Sequence, residues 1–135
     1  MALVLALAGL AILLAAPLAA QTVVSIDQDI ATDTVWPSVA GIYLVTRPIA
    51  VAEGASLAIA PGVVVKFELG AGLTVHGTLT AVGTAESPIV FTSVRDDNVA
   101  GDLPADGPTV PSPGDWGELA FVGPGSDGSQ LAHCE

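Results

Sequence analysis

The sequence predicts an all-β solenoid of parallel strands, and three observations carry that prediction. Within residues 41–91 one pattern of short apolar strands occurs twice. It runs Ile49-Ala50-Val51, Gly54, Leu57-Ala58-Ile59, Gly62, Val65-Lys66-Phe67, and then Leu73-Thr74-Val75, Gly77, Leu79-Thr80-Ala81, Gly83, Ile89-Val90-Phe91. The offsets are nearly constant: 24 residues from Ile49 to Leu73, 22 from Leu57 to Leu79 and 24 from Val65 to Ile89. A period of that size marks a stack of coils, each burying its apolar face only against its neighbours. The corners between strands are too short for crossover helices, which need a dozen or more residues. Consecutive strands therefore belong to different sheets, each built by stacking across coils.

Residues 1–20 carry no charge and are almost wholly Ala, Leu, Val, Ile and Gly. A run of about 20 apolar residues is long enough to span a bilayer. Pro17, followed by Leu18-Ala19-Ala20, supplies a helix break and small residues of the kind a signal peptidase cuts. The segment reads as a signal peptide for export to the cell surface or the medium, although no Lys or Arg precedes the run.

Residues 21–40 contain Val23, Val24, Ile26, Ile30, Val35 and Trp36 among Asp27, Asp29 and Asp33. They do not match the repeat. The first coil of a solenoid exposes its core and its backbone edge, so this segment reads as an N-terminal cap, with Trp36 large enough to cover the end.

Residues 41–135 read as the coils. Period-two alternation points Ile49, Val51, Leu57, Ile59, Val65 and Phe67 inward, with Leu73, Val75, Leu79, Ala81, Ile89 and Phe91 above them. Ala50, Ala58, Lys66, Thr74, His76, Thr80, Val90 and Thr92 point outward. The offsets set Phe67 against Phe91 and Val65 against Ile89, about 4.8 Å apart as in any sheet. Gly54 and Gly77 mark one corner, Gly62 and Gly83 the next, where glycine reaches positive φ without steric cost. Residues 93–115 replace the short corner 68–72 with an acidic, proline-rich insertion. Leu119 and Phe121 then take the places of Leu73 and Val75, and Gly128 with Leu131 those of Gly54 with Leu57. By this count the chain holds about two and a half coils and stops within its third, as a fragment of a longer protein would.

Composition narrows the function. All 14 acids and all 3 bases lie after residue 20, with a net charge of −11. Such a surface repels phosphate backbones and anionic lipid heads, which excludes nucleic acid and, once the signal is removed, a membrane surface as partners. The lone Cys134 cannot form an internal disulfide. His76 and His133 lie far apart, and no nucleophile elbow, zinc spacing or phosphate loop is present.

The one candidate site is the insertion. Asp96, Asp97, Asp102, Asp106 and Asp115 are hard oxygen ligands of the kind Ca²⁺ takes, although Pro104 stands where a calcium loop would place a ligand. A lyase site is a poor fit, because Arg95-Asp96-Asp97 is a consecutive trio on a loop and not a cluster projecting from adjacent strands. Arg95 reads as local charge balance.

The strings Asp33-Thr34-Val35-Trp36, Leu57-Ala58-Ile59-Ala60-Pro61-Gly62-Val63-Val64-Val65-Lys66-Phe67, Ser87-Pro88-Ile89-Val90-Phe91-Thr92-Ser93 and Gly114-Asp115-Trp116-Gly117 resemble the N-terminal end of bacterial secreted right-handed parallel β-helix repeat proteins. The resemblance covers nearly all of the chain after residue 20 and is specific for architecture. It implies a right-handed parallel β-helix in an exported surface protein, with further coils of the full-length protein as neighbours and a polysaccharide or cell-surface ligand as partner. The expected function is structural or adhesive, with no catalysis in this stretch. The alternative is the N-terminal part of a carbohydrate-active enzyme, a polysaccharide lyase or glycoside hydrolase, whose active site lies in later coils.

Overall fold

A computed structural model describes residues 22–102 and 105–135; the signal peptide expected over residues 1–20 lies outside them. Eleven strands are described, all paired in parallel. The first sheet stacks β1 (Thr22–Ile26), β3 (Gly41–Val45), β6 (Val64–Phe67) and β9 (Val90–Ser93). The second stacks β4 (Pro48–Val51), β7 (Gly72–Val75) and β10 (Leu119–Phe121). The third stacks β2 (Thr34–Trp36), β5 (Ser56–Ile59), β8 (Thr78–Val82) and β11 (Gln130–Ala132). The chain visits the sheets in that cycle, so the protein is an all-β parallel solenoid, as the repeat predicted.

The alternation fixes the core. Ile49, Val51, Leu57, Ile59, Val65, Phe67, Leu73, Val75, Leu79, Ala81 and Ile89 are all buried in one cluster. Phe91 packs against it but is only partly buried. The expected pairings Ile49↔Leu73, Leu57↔Leu79 and Leu73↔Leu119 are present.

Four details differ from expectation. First, residues 22–36 form a coil of their own: β1 joins the first sheet, Ile30 bridges to Val51 in the second, and β2 joins the third. Because the second-sheet strand shrinks to the single residue Ile30, the repeat is not visible there. Three turns therefore lead from β1 to β9, and β10 and β11 continue beyond them. Second, the first sheet advances by 26 residues: Val65 faces Phe91 and Phe67 faces Ser93. The corner 83–89 absorbs two extra residues. A two-residue slip keeps the same side chains inward, so the core survives while the Phe67–Phe91 stack does not form. Phe67 stacks instead on Trp116, with ring centroids 4.3 Å apart. Third, Leu131 faces Ala81 in the column of Ile59, not that of Leu57. Fourth, the glycines divide by cause. Gly54 and Gly62 adopt φ of 85° and 83°. Gly77 and Gly83 do not; a methyl at Gly77 would collide with the Ala52 and Ala55 carbonyls, and one at Gly83 would lie 2.7 Å from the His133 oxygen.

Where a corner leaves the ladder, side chains supply the missing rungs. Asp29 accepts from the Ala50 N–H at 3.0 Å, Asp33 from Ser56 at 3.0 Å, and the Ser129 hydroxyl from Leu79 at 3.0 Å. An edge N–H that would otherwise lack a partner is thereby satisfied. Trp36, 3% exposed, stacks on Tyr43 at 4.7 Å, and burial pushes the Tyr43 phenol above its ordinary pKa.

Candidate functional site

The insertion leaves the first sheet at Ser93 and returns to the second at Leu119, replacing a corner that in the preceding coil spans only residues 68–71. Its two feet are tied together. Asp115 Oδ2 accepts from the Ser93 hydroxyl at 3.0 Å and from the Ser112 N–H at 2.8 Å, while Asp115 Oδ1 lies 3.5 Å from the Arg95 guanidinium. The Arg95 N–H in turn donates to Ser93 Oγ. Three of these contacts hold the Asp115 carboxyl below its ordinary pKa against its own burial: the Ser112 N–H, which contributes most, the Ser93 hydroxyl and the Arg95 cation. Arg95 thus balances Asp115 across the neck rather than its sequence neighbours Asp96 and Asp97.

The other four acids are spread along the loop. Asp96 accepts from the Thr92 hydroxyl at 2.7 Å and from the Asn98 N–H at 3.2 Å. Asp97 takes both the N–H and the hydroxyl of Thr109, at 2.6 and 3.0 Å. Asp102 caps a turn by accepting from the Asp106 and Gly107 N–H groups. Asp106 lines a shallow cavity of about 260 Å³ with Glu68, Leu69 and Val94. Among the described residues no three His, Cys, Asp or Glu side chains are grouped closely enough to hold a metal ion. The five aspartates proposed for Ca²⁺ act here as separate acceptors for the loop's own donors.

Sequence reasoning missed the centre of this arrangement, which is Lys66. Alternation correctly sends it outward, between Val65 and Phe67, yet it is fully buried. Its ammonium donates to the carbonyls of Asp96 at 2.9 Å and Gly101 at 2.8 Å. Ala100 and Gly101 both adopt positive φ, 58° and 81°, where the chain turns over the lysine. Burial lowers the Lys66 pKa, while Asp96, Asp97, Asp102 and Asp106 oppose that shift. The contacts span 30 and 35 residues of sequence, so no local pattern announces them.

His76 is exposed on the edge of the second sheet, and His133 sits at φ 51° in the last corner. The Cys134 thiol, raised in pKa by burial, points at the Ala81 carbonyl at 3.2 Å. None of the three approaches the insertion through a described hydrogen bond.

No family model matches the chain, and no solved structure matches it. Among curated proteins it is similar to Protein bark beetle of Drosophila melanogaster, 40% identical over 77 residues. That match takes in 50% of this chain and 2% of the relative, so the chain spans a small fraction of the length of the protein it resembles.

Proposed function

We propose that this chain is an exported β-solenoid segment with a structural or adhesive role, akin to the secreted bacterial parallel β-helix repeat proteins. The observation that carries the reading is the parallel stack itself, with one coil corner expanded into an ordered acidic insertion. Stacked coils form a stiff, quasi-one-dimensional support, and a loop held on one face of such a support is a common place for binding. The uncharged residues 1–20 and the net charge of −11 suit an exported, soluble surface. A polysaccharide or another cell-surface molecule is the partner class this reading names.

The test expresses the chain with its own first 20 residues in a bacterial host. Export with cleavage near Ala20, read from the intact mass, followed by retention on a glycan array without release of sugar fragments, is the expected result. An uncleaved cytoplasmic product contradicts export. Depolymerisation of a bound polysaccharide contradicts the non-catalytic role.

A further inference from the structure

We propose that the insertion is a polar strap that opens as a local unit, with the Lys66 ammonium as its latch, while the solenoid beneath stays folded. Two independent observations lead there. The first is how the strap is attached. Among its described residues, 94–102 and 105–114, none belongs to the buried hydrophobic core, and Val110 is exposed. Its ties are polar: Lys66 to Asp96 and Gly101, Asp97 to Thr109, Asp102 to Gly107, and the Asp115 clasp at the neck. Segments with few buried apolar contacts open at a lower free energy than the core they lie on.

The second is where the cation comes from. Lys66 is rooted in the core strand β6, whereas both of its acceptors lie on the strap. Bonds from a charged donor are roughly twice as strong as neutral ones, and inside a low-dielectric contact they weigh more still. One side chain therefore joins two units that share little apolar surface, and removing its charge should free one without melting the other.

Trypsin reads this directly. The chain has three basic residues, Arg47, Lys66 and Arg95. The bond after Arg47 precedes Pro48 and resists cleavage. In a Lys66→Met chain only Arg95, at the strap's first foot, remains a good site. Cleavage of a transiently opened segment tracks its open population when reclosing is fast. Lys66→Met should therefore be cut after Arg95 about tenfold faster than wild type or more, with Lys66→Arg close to wild type. Hydrogen exchange on the same samples separates the two units. The Gly107 and Thr109 amides should lose protection in Lys66→Met, while the His76 amide, bonded to the Val51 carbonyl at 3.0 Å, keeps it. An unchanged rate at Arg95 overturns the proposal. So does joint loss of protection in strap and solenoid, or failure of the Lys66→Met chain to fold, because either outcome makes the strap part of the global folding unit.

Discussion

A lysine with no exposed surface needs a reason, because an unpaired buried charge is among the costliest things a fold can hold. Lys66 has two carbonyl acceptors and four aspartates of the strap around it, and in return it offsets part of the strap's own repulsion. Phe67, its neighbour, illustrates the opposite face of the same strand. It is fully buried and stacked on Trp116. Phe67→Ala should cost about 3–5 kcal/mol in denaturant unfolding, as large-to-small changes at buried aromatics do. Thr80→Ala, on an exposed outward position, should stay within about 0.5 kcal/mol. Comparable losses at the two sites would mean that the faces are assigned wrongly. Asp115 gives a pH signature. Its folded pKa is depressed below the ordinary carboxyl value. The unfolded chain therefore takes up the proton first as pH falls, and the contribution, present above the unfolded pKa, is lost as pH drops through the folded one. Asp115→Asn should lower the melting temperature at pH 7, and the gap to wild type should narrow as the pH is taken from about 4 downward. A gap constant across that range would show that the carboxylate charge contributes nothing.

Among the elements, corners decide more than strands. Gly77 and Gly128 occupy corners of successive coils, yet only Gly77 lacks room for a methyl; nothing lies within 4 Å of one built at Gly128. Gly77→Ala should destabilise by about 1–3 kcal/mol, the usual range for overpacking, and Gly128→Ala should be near neutral by calorimetry. Equal effects would indicate that the cost is one of chain entropy and not of contact. Corners are also where the sequence was hardest to read. The inward faces were legible because a two-residue period repeats within each strand and survives a two-residue slip. The slip itself, Val65 to Phe91 rather than to Ile89, was hidden in the 83–89 corner, whose extra residues look like any other turn. The first coil was hidden for a similar reason, since Ile30 alone stands in for a strand. Lys66 was legible in direction but not in burial, because its partners lie on a loop whose path no local rule predicts.

At the scale of the whole molecule, an acidic solenoid carries an acidic loop, and its five aspartates invite a cation. Each of Asp96, Asp97, Asp102 and Asp115 already accepts hydrogen bonds from its own chain, and no three acids among the described residues converge. With the loop arranged this way, Ca²⁺ and Na⁺ at matched ionic strength should raise the melting temperature alike, through screening of the net charge of −11. A rise specific to Ca²⁺ would show that the loop rearranges into a cage, since an ion that binds only the folded form stabilises by mass action.

The parallel stack with its corner-set register is the central claim, and cross-strand nuclear Overhauser effects test it most directly. Strands in one sheet lie about 4.8 Å apart, so backbone protons of facing residues give strong cross-peaks. The stack predicts peaks linking Ile49 to Leu73 and Leu73 to Leu119, and linking Val65 to Phe91. Peaks linking Val65 to Ile89 would contradict the register of the first sheet. Antiparallel patterns between strands consecutive in sequence would contradict the solenoid itself.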